Sequence, residues 1–450
     1  MLHFSNLKMN ENIGRSTGHK ESLFRRLLSK TWFGNKSDAY FFIGTTIAGI
    51  LTSIFTFHLL DGYSFDSGSK MIGVYFPPVF TLVYISVSGY RFGFNNSLLF
   101  KCLFTYCIQI SPFIPLFTQI VTPQPFDDFS RYYLFAKNML DNSTLYGSDR
   151  LYFKNVPGKH YIIQPGYRYF VLLELFLFKH LYRFIYFINI GLYLLSVFHF
   201  QKVVCHVIQS KKLQLALLLL LLLFSPYAIK NLLMGIPEWL TVILLFWTCY
   251  FYIIHRNEYL AALCLGLVPF FRQNLFITIV LLFLVLLFYN RYKLRTALLF
   301  FTILLLPLYH NLYYGGQWRF FVEVFSLPFL STKDGVSVIN TRFIIKNIIH
   351  YFGFSLGYKK VIFSPIGALF LPYATVLFFI LLTNITSIKS KLVYILCTAS
   401  AVVPIIFLGT DYYPRFEFIN VVIMITTFLL LQFLNKKHSI LPMRHQLVSS

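Results

Sequence analysis

Acidic residues are what this chain has least of. It carries 16 Asp plus Glu against 39 Lys plus Arg, and only 12% of its 450 residues are charged. With 57% hydrophobic residues and a mean hydropathy of +0.65, it has too little polar surface to cover a water-soluble globule of that length. Cysteine is sparse as well. The six cysteines (102, 107, 205, 249, 264, 397) lie in or beside apolar runs without CxxC spacing, so no disulfide framework or zinc site follows from them. No Walker A or GxGxxG stretch is present to cradle a nucleotide, and no internal repeat is visible. GFSLG (353–357) fits the nucleophile-elbow string but has no strand–turn–helix setting, and reads as chance.

Long apolar runs are what the chain has in quantity. LQLALLLLLLLFSPYAI (213–229) and NLFITIVLLFLVLLFYN (274–290) approach the roughly 20 residues that cross a hydrocarbon core as a helix. In lipid every backbone group must be satisfied within the segment, and no strand-like alternation accompanies these runs, so a helical bundle is expected. The fold class is therefore an all-α polytopic membrane protein of about twelve spans. They fall near 40–60, 71–90, 100–121, 183–203, 213–229, 238–254, 259–271, 274–290, 296–311, 361–383, 391–409 and 417–434.

The net charge of +23 does not point to nucleic acid, because the basic residues punctuate the apolar runs instead of clustering on one polar domain. Residues 1–38 are polar and basic, too long a lead-in for a cleavable signal, and are expected to be a cytoplasmic tail. The short connections with Lys202/Lys211/Lys212, Arg291/Lys293/Arg295, Lys389/Lys391 and the 435–450 tail are basic too. The positive-inside rule then places both termini in the cytoplasm and 39–434 in the membrane. Two long segments fall outside, 122–182 and 310–360. A bacterial plasma (inner) membrane is the expected location, although nothing in the residues excludes an endoplasmic reticulum membrane.

The first external segment holds the chain's one conspicuous acidic pair, Asp127-Asp128, in PFDDFSRYYLFAKNML (125–140). Tyr132, Phe135, Ala136, Met139 and Leu140 follow at i, i+3, i+4, i+7, i+8, with Arg131 largely off that face. This spacing predicts an amphipathic helix lying on the membrane, apolar face down. Asp128 could cap it. A carboxylate there could instead act as a general base, and the pair could share a proton or hold a divalent cation. Further along, YIIQPGYRYF (161–170) breaks the chain and restarts a helical run with Gln164, Tyr167 and Arg168 around the break. Glu238 in MGIPEW, Arg272 in FRQN, His310 and Asn311 in YHNLYYGGQW, and Asp411 and Arg415 in TDYYPRFEF complete the polar outliers near external ends. Each alone is compatible with a snorkelling interfacial residue. Together, Arg168, Arg272 and Arg415 would bring positive charge to the face that holds the acidic pair, which suits an anionic, membrane-borne substrate.

DDFSRYYLFAKNML followed by QPGYRYF resembles the first external loop of GT-C glycosyltransferases, in the branch with protein O-mannosyltransferases, lipid A aminoarabinose transferases and Rgt-type galacturonosyltransferases. GIPEW, FRQN and HNLYYGG resemble later segments of the same family, and the likeness covers about residues 120–320. It implies an inverting glycosyltransferase that moves a sugar from a polyprenyl-phosphate donor to a lipid, glycan or protein acceptor at the external face. By that resemblance Asp128 or Asp127 would activate the acceptor hydroxyl, and Arg168, Arg272, Arg415 and His310 would receive the lipid phosphate. The family often has Lys or His where this chain has Gln164; if that cation binds the lipid phosphate, either Arg168 takes over its charge or the donor is handled differently here. Other readings are a transporter or lipid-sugar flippase, a non-catalytic scaffold, and a polymerase or ligase of lipid-linked glycans.

Overall fold

A computed structural model describes residues 36–61, 72–111, 128–143, 145, 165–178, 185–233, 237–289, 292–315, 318, 330–333, 336–339, 341–351, 375–408 and 414–448. The described chain is helical apart from one hairpin. In order it forms α1 (Lys36–Asp61), α2 (Ile72–Phe92), α3 (Asn96–Ile110), α4 (Asp128–Asp141), α5 (Pro165–Phe178), α6 (Ile185–Val207) and α7 (Lys211–Leu233). There follow α8 (Glu238–Cys249), α9 (Glu258–Phe271), α10 (Phe276–Tyr289), α11 (Lys293–Leu304), α12 (Leu306–Gly315), α13 (Thr341–Tyr351), α14 (Ile388–Leu408) and α15 (Pro414–Val448), with a helical stretch at 375–383 before α14. Strands β1 (Leu330–Lys333) and β2 (Val336–Ile339) pair antiparallel, Lys333 opposite Val336.

Among the described residues, three helical segments are long and apolar enough to cross a membrane: Ile185–Val207, Lys293–Tyr314 and Phe418–Lys436. Glu238–Ile254, Glu258–Phe271 and Gln273–Phe288 are shorter apolar helices. Most of the helical runs expected from hydropathy coincide with helices here, though α15 continues through the residues expected to form a C-terminal tail. Residues 361–374, the first part of one expected span, lie outside the described residues. α8 ends in a π-helical turn, Tyr250–Ile254, and α9 is joined to α10 by a short 3-10 turn, Gln273–Leu275.

Side-chain contacts fix which helix ends lie together. At one end, Lys436 Nζ donates to the Val207 carbonyl at 2.6 Å, and the Arg256 guanidinium lies 4.1 Å over the Phe433 ring. The Tyr292 amide donates to Glu258 Oε2, Gln432 to the Asn384 carbonyl, and Ser390 Oγ to Asn435 Oδ1. Lys202, Lys211, Lys293, Arg295, Lys389 and Lys391 flank these contacts in sequence, so the basic residues of separate connections gather at a single end of the bundle.

That basic end also holds a buried ion pair. Lys101 Nζ lies 2.7 Å from Asp38 Oδ2, and Tyr84 and Ser88 hydroxyls donate to Asp38 Oδ1 at 3.2 and 3.3 Å. One carboxylate thus ties α1, α2 and α3. Next to it, Gln201 Nε2 donates to Ser86 Oγ, joining α6 to α2. Farther along the same three helices, Gln109 Nε2 donates to the Thr45 carbonyl while Gln109 Oε1 accepts from Thr81. These bonds set the rotational register of helices whose apolar surfaces would pack in several ways. Removing one member of a buried pair strands the other charge. Lys101→Met is expected to cost about 3–5 kcal/mol, read as a lowered thermal midpoint of the protein in detergent. The double substitution Asp38→Leu/Lys101→Met should recover most of that loss.

Candidate functional site

At the opposite end of the bundle the starts of α5 and α8 meet the end of α9 and the helix α12. Four of these elements carry residues singled out in the sequence. Glu238 opens α8 and is fully buried. Its Oε1 lies 2.6 Å from Nη2 of Arg272, which closes α9. The Arg272 amide donates to the Val268 carbonyl at 2.8 Å, and with φ −138° and ψ 89° the residue leaves the helical path there, which turns the chain into the 3-10 segment. The pair therefore closes the corner between α8 and α9. Arg272, expected to receive a phosphate, has its charge balanced by Glu238.

Arg168 and Tyr167 stand on the first turn of α5. Both are buried. The Arg168 guanidinium lies 4.4 Å over the Phe135 ring of α4, a geometry in which the ring's negative face meets the cation. Tyr167 packs edge-on to Tyr132 of α4 at 4.8 Å, and its hydroxyl accepts from Trp239 Nε1 at 3.4 Å. Tyr169 stacks on Phe270 of α9 at 6.1 Å and meets the His310 ring of α12 edge-on at 5.5 Å. Its hydroxyl donates to the Leu145 carbonyl at 2.6 Å. His310 Nδ1 lies 3.2 Å from Oδ1 of the buried Asn311, and its ring is 5.0 Å from Tyr314.

α4 departs from the membrane-lying helix that its pattern suggested. Tyr132, Phe135, Ala136 and Met139 are buried, and of the five apolar-face residues only Leu140 is exposed. That face is covered by protein, with Tyr132 and Phe135 meeting α5. The periodicity was real, but it records only that something apolar covers the face. Lower on α5, Glu174 Oε1 accepts from Asn189 Nδ2 of α6 at 2.7 Å. Burial pushes this carboxyl up to about 8, and the Asn189 hydrogen bond offsets part of that rise.

The structure thus brings together Tyr167, Arg168, Glu238, Arg272, His310 and Asn311 from α5, α8, α9 and α12. Asp128 begins α4, one turn before Tyr132, and Arg131 lies in the same helix. Arg415 is the second residue of α15. For these three residues only the helix they belong to is described. Asp127, Gln164 and Asp411 lie outside the described residues. Among the described residues no three His, Cys, Asp or Glu side chains cluster as metal ligands. Sequence reasoning missed the aromatic lining, Phe135, Tyr169, Trp239 and Phe270. Trp239 follows Glu238 directly, but aromatics make up 20% of the chain, so an aromatic residue carries little signal by itself.

Gly166 makes the assembly possible. A Cβ there would sit 2.6 Å from Phe270 Cδ1 and 2.7 Å from the Phe270 carbonyl oxygen, so α5 reaches α9 only because residue 166 has no side chain. Gly166→Ala is expected to destabilise by roughly 1–3 kcal/mol through overpacking. Gly44→Ala, with nothing within 4 Å of the new Cβ, should be neutral or slightly stabilising, and thermal melts of the two variants check the contrast. No family model, curated protein or solved structure matches the chain, and the reading of this end of the bundle rests on its residues alone.

Proposed function

We propose that this chain is an integral-membrane, inverting glycosyltransferase of GT-C-like arrangement, with about twelve spans and both termini in the cytoplasm of a bacterial cell. In this reading it takes a sugar from a polyprenyl-phosphate donor and passes it to a lipid, glycan or protein acceptor. The observation that supports it is the meeting of Tyr167, Arg168, Glu238, Arg272 and His310 at one end of the bundle, beside the helix that Asp128 begins. The basic connections lie at the other end, in keeping with a cytoplasmic side there and an external site here.

In this mechanism Asp128 or Asp127 accepts the proton of the acceptor hydroxyl as the oxygen attacks the anomeric carbon. The bond from that carbon to the phosphate oxygen breaks, the configuration inverts, and the lipid phosphate leaves with its charge. Developing oxocarbenium character and a phosphate leaving group call for fixed positive charge close by. Arg168 is the cation best placed for this, because it is held rigidly over Phe135 at the start of α5. His310 is a second donor to the leaving oxygen. Arg272, balanced by Glu238, holds the corner against which the others are positioned.

The test supplies purified protein in lipid with polyprenyl-phosphate sugars and a lipid or glycan acceptor. Whichever of Asp127→Asn and Asp128→Asn removes the base should lower transfer by about 10²–10⁴. Arg168→Gln should lower it by about 10²–10³, with folding checked by the melt of the bundle. Loss of transfer with a chelator, rescued by a divalent cation, would assign the acidic pair to metal binding. Full transfer by the double Asn variant would end the catalytic assignment. Substrate counterflow without transfer would favour a transporter.

A further inference from the structure

The helix α13 (Thr341–Tyr351) is not used in the site above, yet it lies at the same end of the bundle. Ser400 of α14 donates to Thr278 near the start of α10, so the late turns of α14 lie beside the chain that leaves Arg272. α13 is anchored to those turns. Asn347 is buried, and its Nδ2 donates to the Ile406 carbonyl at 2.8 Å.

That anchor fixes one side of the helix. At 3.6 residues per turn, Ile344, Ile345 and Ile348 fall on a second side. Arg342, Lys346 and His350, at i, i+4 and i+8, fall in line on a third. Ile345 is 55% exposed and Arg342 is exposed as well, so the apolar side and the basic side are both open near the helix start. The helix contains no Asp or Glu. A helix fixed to a bundle along one edge, with Ile345 and Arg342 exposed and with isoleucines and basic residues recurring at helical spacing in its sequence, has the make-up of an interfacial membrane helix.

We infer that α13 docks on the anionic headgroups of the leaflet next to the candidate site, with Ile345 entering the acyl boundary and the Arg342–Lys346–His350 row meeting lipid phosphates. Charge complementarity selects this occupant. A second copy of α13 would bring like charges together, and a chain of net charge +23 offers few acidic surfaces for self-association. Inorganic phosphate alone would leave the isoleucine side uncovered. The inference requires only that the bundle sits in a membrane, and it stands or falls independently of sugar transfer.

The experiment follows amide hydrogen exchange of residues 341–351 in the full chain, one copy per lipid nanodisc. Discs of phosphatidylcholine are compared with discs of an equal mixture of phosphatidylcholine and phosphatidylglycerol. Two basic residues near an anionic surface predict protection raised about thirtyfold in the mixed discs and weakened by added salt. Arg342→Gln/Lys346→Gln should abolish the difference and Arg342→Lys/Lys346→Arg should keep it, while exchange of α6 stays unchanged in both. Equal protection in the two lipids overturns the inference, as does a difference that survives the double Gln variant. Protection produced in phosphatidylcholine discs by inorganic phosphate alone marks a free-anion site and overturns it too. Protection that appears only with two copies per disc marks self-association, with the same consequence.

Discussion

The ion pair between Glu238 and Arg272 is the contact on which the candidate site depends. Two charges removed from water must be paired and held, because each alone would cost several kcal/mol in an apolar setting. These residues stand 34 apart in sequence, one opening α8 and the other closing α9, and a 2.6 Å contact leaves their helix ends little freedom. Phe270 is then fixed two residues before Arg272, and Trp239 one residue after Glu238. Against Phe270 the chain lays Gly166, and against Trp239 it lays Tyr167 and Phe170. The position of Arg168 follows from that packing.

The second buried pair, Asp38–Lys101, does comparable work at the other end, but with different neighbours. There the carboxylate is surrounded by hydroxyl donors from α2, and the nearby polar side chains bond to one another across helix seams. Association of apolar helices in lipid lacks a hydrophobic driving force between them, so packing and hydrogen bonds must choose the register. At the Glu238 end the surroundings of the pair are largely aromatic, and the polar groups near it are the guanidinium, imidazole and phenol groups of separate helices. One end is cross-linked by short polar bonds. The other gathers guanidinium, imidazole and phenol groups of separate helices among aromatic rings.

Hydropathy made most of the helices legible, since the apolar runs had only to be long and unbroken. Residues 185–207 and 418–436 read correctly because apolar length alone specifies a helix in lipid. Partners were not legible. Arg272 and Glu238 looked like two separate interfacial charges, because pairing depends on an approach of distant segments that no local pattern records. The face of α4 was visible as a stripe, but not the protein that covers it. The π-helical turn at Tyr250–Ile254 left no mark in the sequence. The hairpin did leave one: Asp334-Gly335, between LSTK (330–333) and the β-branched VSVI (336–339), is a dipeptide that favours two-residue turns, though the first of these runs has only Thr332 to mark it as a strand.

The burial of α4 changes what its leading carboxylates can do. On a helix floating at the membrane surface, an acidic pair would move with the lipid and meet Arg168 only by chance. Here Tyr132 is wedged against Tyr167 and Phe135 lies beneath Arg168, so α4 and the start of α5 are parts of one packed unit. Asp128 precedes Tyr132 by one turn, about 6 Å along the helix axis. The backbone of Asp128 is therefore held at a fixed separation from the start of α5. In the proposed mechanism a base and a leaving-group cation on one packed unit are aligned before substrate arrives, and such alignment lowers the barrier to a transfer between two bound molecules. Loosening the α4–α5 contact, as by Phe135→Ala, should then reduce transfer more than donor binding, because it disturbs the alignment and leaves the Arg168 charge in place.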